Sequence, residues 1–533
     1  MTRPVLPAPA RTQWGTAIAV ELINGVPYRM YTNRPRRVAD ILPLAHRWGD
    51  RAHIVQGERR VLFDDLLAAV ARKADYLRGE GIGRRDRVLI LGWNSPDWIV
   101  NFWACTQVGA APALANAWWS ALEVDEAVAL LQPAIILADD AHGPEKLPTA
   151  TRRGVWAADV SGRADPAEAI IETAGAAADE NDPAVIIFTS GTGGRPKAVE
   201  LSNRSLAANL QMLLHITHRL PHEIADDSGE VVLHTGPLFH VGGPQMLMRS
   251  IAVGNTIVMP SGRFDPAEAL ALIERYQVTR WAAVPTMVSR LLDHPDVQKT
   301  DLRSLRAVTI GGAPIHAELL ERITSVLPAV NTGVPTGYGL TENCGQATAA
   351  SGRDTVKHPG TAGRPLPCAE LKFVPVPDMP HAEILVRSPT QMTRYIGTDD
   401  SPIDDEGWLH TGDLGHLDEH GRLWITGRSK DLIIRGGENI APAAVERALV
   451  TIAGVTEVAV VGVPHPDLGE EVCAFVVVDD SGHTADSLRE GLRGKVASFA
   501  VPSIWRIQHD SLPTNHTGKV DKPALARLAA GQS

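Results

Sequence analysis

The sequence predicts an α/β protein. A large N-terminal domain of layered α/β sheets, with a small β-barrel-like part, is followed by a small α+β C-terminal domain. Three observations carry this expectation. Helical and strand patterns alternate over the first 180 residues and return at AAVPTM and AVTIGGAPI, as parallel strands under covering helices require. From residue 380 the texture changes to short strands, AEILVRS, GWLHTGDLGHLDEHGRLWITGRS and DLIIRGG, parted by Gly, Asp and Pro turns. At 533 residues the chain also exceeds what one hydrophobic core holds.

In chain order, FDDLLAAVARKADYLRGEGI sets Leu66, Leu67, Val70 and Leu77 near helical spacing, and Gly79 and Gly81 mark the exit. RVLILGW, from Arg87 to Trp93, is a short apolar run bounded by turn residues, as a buried strand should be. The charge-free stretch between Asp97 and Glu123 holds Asn101, Gln107, Gly109 and Pro112, so it reads as a buried helix and strand rather than a membrane span. Near the C-terminus, APAAVERALV starts a helix with Pro442 in its first turn. VTEVAVVGV and VCAFVVV read as two strands, and SLREGLRGKVA as a helix. The expected domains are residues 1–428 and 429–533, with the boundary near Gly427 to Lys430.

Lys and Arg number 51 against 62 Asp and Glu, a formal charge of -11. That balance argues against a nucleic-acid partner, which needs a basic surface. The N-terminal MTRPVLPAPARTQWG has no apolar run of the signal-peptide kind, and the four cysteines are scattered without a CxxC pair, so a cytoplasmic location is expected. Only 10 of the 51 basic residues are lysines, and three of these, Lys197, Lys430 and Lys519, lie in glycine-containing motifs. A compact charge on a flexible stem is what such positions select over arginine.

The glycine-rich TSGTGGRPK follows the apolar run AVIIF. It is not a GxxxxGK[ST] loop, because Lys197 is followed by Ala198 and a strand, AVELS, precedes the next helix. Ser202 or Asn203 would cap that helix, with Leu206, Leu210, Leu213 and Leu214 on one face. The order is strand, loop, strand, helix: a hairpin flap. Its Gly191, Gly193 and Gly194 let backbone N–H groups converge, while Thr189, Ser190, Thr192 and Lys197 add hydroxyls and charge suited to phosphate.

TSGTGGRPK resembles the TSGTTGxPKG signature of the adenylate-forming superfamily, which includes acyl-CoA synthetases, nonribosomal-peptide adenylation domains and firefly luciferase. PLFHVGG, GGAPI, YGLTE, TGD, GRSKDLIIRGGENI and TGK follow in the family's order and extend the resemblance over nearly the whole chain. It implies an enzyme using ATP, Mg²⁺ and coenzyme A, in which a carboxylate attacks the α-phosphorus of ATP and expels pyrophosphate. By that resemblance Lys519 bridges carboxylate and α-phosphate, Thr341 contacts the α-phosphate and Glu342 holds Mg²⁺. Tyr338 stacks on adenine, with Gly312, Ala313 and Pro314 forming the purine slot and Thr336 and Gly337 beside it. Asp413 takes the ribose hydroxyls and Arg428 reaches ribose and phosphate. Lys430 is the hinge of a mobile C-terminal domain, the thiol path runs past Gly436 and Gly437, Asn439 is a further cofactor-binding residue, and His240 gates the acyl pocket.

The chain departs from the family pattern at Gly193, Ala198 and Asn203, where a threonine, a glycine and a histidine are usual. HVGGPQMLM lacks the acid that would hold an α-amino group, so the implied substrate is a non-amino carboxylic acid. Gly242, Gly243, Gly337 and Gly345 suggest a roomy apolar pocket for a long, branched or polycyclic acid. The acceptor is coenzyme A in the leading reading, and a carrier-protein pantetheine or partner enzyme in the other. The oligomeric state is left open, a homodimer included. His215, His218 and His222 read as a solvated helix end rather than a metal site.

Overall fold

The computed structural model describes residues 14–142, 147–148, 151–160, 179–189, 197–311, 317–327, 329–330, 334–377, 381–436, 438–479, 482–515 and 518–531. Two mainly parallel sheets dominate the larger part. One has seven strands in the order Arg394–Tyr395, Lys197–Ser202, Pro183–Thr189, Ala111–Leu114, Arg87–Leu91, Ile135–Ala138 and Arg153–Gly154. The other has six, Ala307–Ile310, Arg280–Ala283, Val231–His234, Thr256–Met259, Ala52–Gln56 and Arg59–Leu62. Their strands read as continuous apolar runs because helices cover both faces. The helix Pro96–Val108, capped by the Ser95 hydroxyl and closed by Gly109 at φ 76, is buried at every residue. It belongs to the largest apolar cluster, with Trp48, Trp98, Trp103 and Ile251. The charge-free stretch is therefore core, and no helix of the described residues is long and apolar enough to cross a membrane.

The flap has the expected order. Pro183–Thr189 and Lys197–Ser202 pair antiparallel, with Lys197 opposite Thr189, and Ser202 caps Asn203–Ile216 by accepting from the Ser205 N–H. The antiparallel part is a four-stranded sheet of Glu370–Val374, Ala382–Arg387, Leu409–Leu417 and Leu423–Arg428. After it comes a separate unit with its own cores. Gly469–Val478 pairs with Val455–His465 on one side and with Ile504–Gln508 on the other. One apolar cluster, with Val445, Leu449 and Leu488, lies on one face, and another, with Phe475, Leu512 and Leu525, on the other. The helix expected over SLREGLRGKVA stops early. It spans Ala485–Gly491, because Gly494, at φ 75, turns the chain away; Leu488 and Leu492 are buried in the core and Val496 packs against it from beyond that turn.

Two histidines sit deep in the larger part. His53 is fully buried and His234 is 7% exposed, and burial lowers each from the usual 6.5 to about 4. A depressed folded-state pKa means that the unfolded chain binds more protons between these values. Stability is therefore present in full above pH 6.5 and is lost as pH falls toward 4, by about 3 kcal/mol for each histidine in the acid limit. Urea midpoints measured from pH 7 to 4 should fall, and His234→Gln should flatten that slope.

Candidate active site

Asp413 lies on the strand Leu409–Leu417, directly across from Arg428 on Leu423–Arg428. Its side chain is 3% exposed, and both carboxylate oxygens are engaged. Arg428 Nε donates to Oδ1 at 2.6 Å and the Tyr338 hydroxyl donates to Oδ2 at 2.6 Å. Burial, the Asp413 charge and that hydrogen bond together hold the Tyr338 phenol well above its usual range. Burial opposes the Arg428 charge, but Asp413 and Asp431 outweigh it and raise its pKa. Such a carboxylate is pre-oriented, and Asp413 N–H is fixed in turn by the Thr411 hydroxyl at 3.0 Å. Thr336 and Gly337 approach Tyr338 along the chain, and Thr336 Oγ1 donates to the Ile310 carbonyl at 3.1 Å, tying this wall to the six-stranded sheet.

Thr341 and Glu342 form a single 3-10 turn, Thr341–Asn343, ended by Cys344 at φ 51. Glu342 Oε1 accepts from the Tyr395 hydroxyl at 2.9 Å, and the Glu342 carbonyl accepts from Met392 N–H at 2.8 Å. Lys197 Nζ stands 4.5 Å over the Tyr395 ring, so the flap lysine and the acidic residue share one partner. Among the described residues nothing hydrogen-bonds Glu342 Oε2, which leaves a hard oxygen donor for a cation. Mg²⁺ fits there: it needs few protein ligands and completes its shell with phosphate and water. The described residues hold no cluster of three His, Cys, Asp or Glu that could bind a metal alone.

Lys519 comes from the C-terminal unit, on a tight loop in which Asn515 N–H donates to the Lys519 carbonyl at 2.8 Å and Gly518 N–H to the Asn515 carbonyl at 2.9 Å. Gly518 has φ 78, which its lack of a Cβ permits. The loop is seated on the larger part: Thr286 Oγ1 donates to the Gly518 carbonyl, and a Cβ at Gly518 would stand 3.1 Å from Val284. Lys519 keeps solvent contact, yet its pKa falls below the ordinary lysine value. Surrounding protein is the larger cause and the like charge of Arg428 the second. The structure thus seats the loop of the tail lysine on the larger part and sets the Lys519 charge within electrostatic reach of Arg428, 91 positions earlier in the chain.

His240 stands next to an aromatic run. Its ring is 4.6 Å from Phe239, which lies 5.6 Å from Trp118, itself 4.8 Å from Trp93. Gly436 has φ 58 on the turn between Ile433–Arg435 and Glu438–Ile440, and Asn439 pairs with Ile434. Lys430 falls in the 3-10 turn Ser429–Asp431. The Lys430 side chain lies outside the described residues, as do Ser190, Gly191, Thr192, Gly193, Gly194, Gly312, Ala313, Pro314 and Gly437.

Gly243, Gly337 and Gly345 do not open the roomy acyl pocket that the sequence suggests. At Gly243 a Cβ would stand 2.1 Å from the Leu238 carbonyl, at Gly337 2.4 Å from that of Thr348, and at Gly345 2.1 Å from the Gln245 amide. These three are glycines because backbone or side chain already fills the space. Only Gly242 faces open space. Gly243→Ala should accordingly cost about 1–3 kcal/mol of stability by overpacking, read as a lower urea midpoint, whereas Gly242→Ala should not.

Of the departures, Asn203 has a structural use. Its Oδ1 accepts from Val38 N–H at 3.0 Å and its Nδ2 donates to the Asp182 carbonyl at 3.2 Å, and Ala198 is fully buried in the strand. His215 is paired, its Nδ1 2.9 Å from the Tyr31 hydroxyl. Sequence reasoning missed Tyr395 and Thr286. Neither sits in a glycine or charge motif, and each reaches the site only through strand or domain pairing.

With this geometry in place, the comparisons are direct. The AMP-binding enzyme family model matches residues 44–396, and the AMP-binding enzyme C-terminal domain model matches 444–519. The chain is 34% identical over 504 residues to a 3-[(3aS,4S,7aS)-7a-methyl-1,5-dioxo-octahydro-1H-inden-4-yl]propanoyl:CoA ligase from Mycobacterium tuberculosis, covering 90% of this chain and 96% of that one. It is 33% identical over 483 residues to a feruloyl-CoA synthase from Amycolatopsis sp, covering 88% and 94%. Among solved structures it resembles ATP-bound MatB from Rhodopseudomonas palustris, at TM-score 0.78 and 26% identity over 92% of this chain and 99% of that one. It also resembles O-succinylbenzoate coenzyme A synthetase from Bacillus subtilis with ATP and magnesium, at TM-score 0.75 and 27% identity over 91% and 98%. Carrying both matched regions in the expected order, the chain belongs to the AMP-binding enzyme family.

Proposed function

We propose that this protein is an AMP-forming acid–thiol ligase. It would join a non-amino carboxylic acid to AMP with release of pyrophosphate, then pass the acyl group to coenzyme A. The observation that supports this most is the buried Asp413, held by Arg428 and Tyr338, together with the seating of the Lys519 loop on Thr286 of the larger part. In the first step a carboxylate oxygen bonds to the α-phosphorus while the bond to pyrophosphate breaks. Lys519 neutralises the two approaching anions, and Asp413 and Arg428 fix the ribose. Thr341 would contact the α-phosphate, and Thr189 and Lys197, at the two ends of the flap, would serve the outer phosphates. Mg²⁺, when bound at Glu342, would offset phosphate charge. In the second step the thiolate attacks the acyl carbon and AMP leaves.

The proposed division is residues 1–428 and 429–533. Lys430 would be the hinge by which the smaller domain withdraws Lys519 and opens the thiol path past Gly436, Gly437 and Asn439. Gly312, Ala313 and Pro314 would form the adenine slot, and His240 would gate the acyl pocket. The aromatic run beyond it, Trp93, Trp118 and Phe239, suits a ring-bearing or branched acid, as do the relatives' substrates: a bicyclic propanoate, ferulate and, in Aromatoleum aromaticum, indoleacetate. A cytoplasmic location belongs to the same reading, which makes no choice of oligomeric state. The second acceptor, a carrier-protein pantetheine, is kept as an outcome of the test. Carboxylates of these classes are screened for pyrophosphate release with and without coenzyme A. Thioester formed with coenzyme A supports the ligase. Pyrophosphate release with no thioester points to the carrier protein, and no release with any acid contradicts both.

A further inference from the structure

The segment Met392–Ile396 stitches together the two groups that the proposed reaction sets around the outer phosphates, and it does so independently of any glycine motif. Tyr395 pairs with Val199 and Arg394 with Glu200, on the strand that begins at Lys197. Thr393 N–H donates to the Glu200 carbonyl at 2.8 Å, and Ile396 N–H to that of Ala198 at 2.9 Å. Arg394 also closes an ion pair on the Glu200 carboxylate, 4% exposed, at 3.0 Å. On its other side the same segment holds the Glu342 carbonyl through Met392 N–H. Tyr395 is at the centre, 8% exposed, with its hydroxyl on Glu342 Oε1 at 2.9 Å and its ring under Lys197 Nζ at 4.5 Å.

We propose that Tyr395 is a positioning residue for the metal–triphosphate end of the site. Its hydroxyl fixes the Glu342 carboxylate so that Oε2 faces the cation, and its ring holds Lys197 until the phosphates draw it off. A carboxylate with both oxygens free would rotate about its terminal bond and lose rotamer freedom on binding. One held by a hydroxyl has already given that freedom up. The Lys197 contact acts in the same sense, since a cation over a ring face is weakly held and readily surrendered to a full anionic charge.

The inference rests on the ATP-dependent reading, and its test separates the two. Binding of Mg·ATP and of AMP is measured by titration calorimetry on wild type, Tyr395→Phe and Tyr395→Leu. Loss of the hydroxyl in Tyr395→Phe should weaken Mg·ATP binding about tenfold, the scale of one hydrogen bond to a charged group, and raise the Mg²⁺ needed for half-saturation. AMP binding should stay within about twofold, because AMP lacks the outer phosphates. In the pair Tyr395→Phe with Glu342→Gln the losses should fall short of additive. Steady state should show the effect in KM for Mg·ATP more than in kcat. Wild-type Mg·ATP affinity in Tyr395→Phe, or equal loss of ATP and AMP with a lower melting temperature, would overturn the role. Tyr395→Leu, with the ring gone as well, should weaken Mg·ATP further while still binding AMP. A wild-type protein that bound neither nucleotide would instead sink the ATP-dependent reading itself.

Discussion

Lys519→Ala is expected to slow acyl-adenylate formation by about 10²–10³-fold, while thioester formation from a supplied acyl-adenylate stays within a few-fold of wild type. The size follows from the task. A carboxylate and a triphosphate repel at the point where they must bond, and one positioned cation offsets that repulsion as charge shifts in the transition state. The split follows from the seat. On the proposed role, Lys519 would reach the nucleotide while the Gly518 carbonyl sits on Thr286, and the second half-reaction would not need that contact. Single-turnover measurement of each half-reaction reads both numbers. Thr286→Val should move the first half-reaction in the same direction by less, since it loosens the seat without removing the charge. Equal loss of both half-reactions in Lys519→Ala would contradict the assignment.

Asp413→Ala should raise KM for ATP about a hundredfold and lower stability by about 1–3 kcal/mol, two effects with different causes. The first follows from the proposed role of Asp413 as acceptor for both ribose hydroxyls. The second needs no ligand, because alanine leaves the Tyr338 hydroxyl, on a side chain 6% exposed, without its acceptor. Arg428 also loses its partner, but at 48% side-chain exposure it is largely rescued by water, so it adds little to the stability loss. Asp413→Asn keeps a side-chain oxygen for Tyr338. Its melting temperature should lie close to wild type while ATP binding remains weak. Melting curves with ATP titrations on the two variants separate the causes. An Asp413→Asn protein with normal KM for ATP would remove Asp413 from the nucleotide site.

What the sequence made legible was whatever is written in local pattern. The flap was readable because an apolar run, three glycines and a second apolar run prescribe strand, loop and strand within twenty residues, and Ser202 marks the helix start that follows. Asp413 and Arg428 were identified one at a time, by resemblance, but their direct pairing is a matter of register between two strands, and register is set by which faces are buried. Tyr395 was invisible for the same reason. It follows an ordinary TR dipeptide, and its partners Lys197 and Glu342 lie 198 and 53 positions away. The glycines of the acyl region misled in the opposite direction. Absence of a side chain was read as free space, whereas at Gly243 and Gly337 it reflects a neighbouring carbonyl already occupying the place. The early end of the helix at Gly491 likewise depends on the turn that Gly494 takes, which no local pattern records.

The central claim is that a lysine of the C-terminal unit and a carboxylate of the four-stranded sheet close on one nucleotide. The most direct measurement is a crystal structure of the protein with an acyl-sulfamoyl adenosine, whose sulfamoyl group stands in for the α-phosphate. The expected result is Lys519 Nζ within hydrogen-bond distance of the sulfamoyl oxygens, with both ribose hydroxyls on Asp413. An adenosine bound away from Asp413, or Lys519 turned to solvent with the analogue in place, would contradict it.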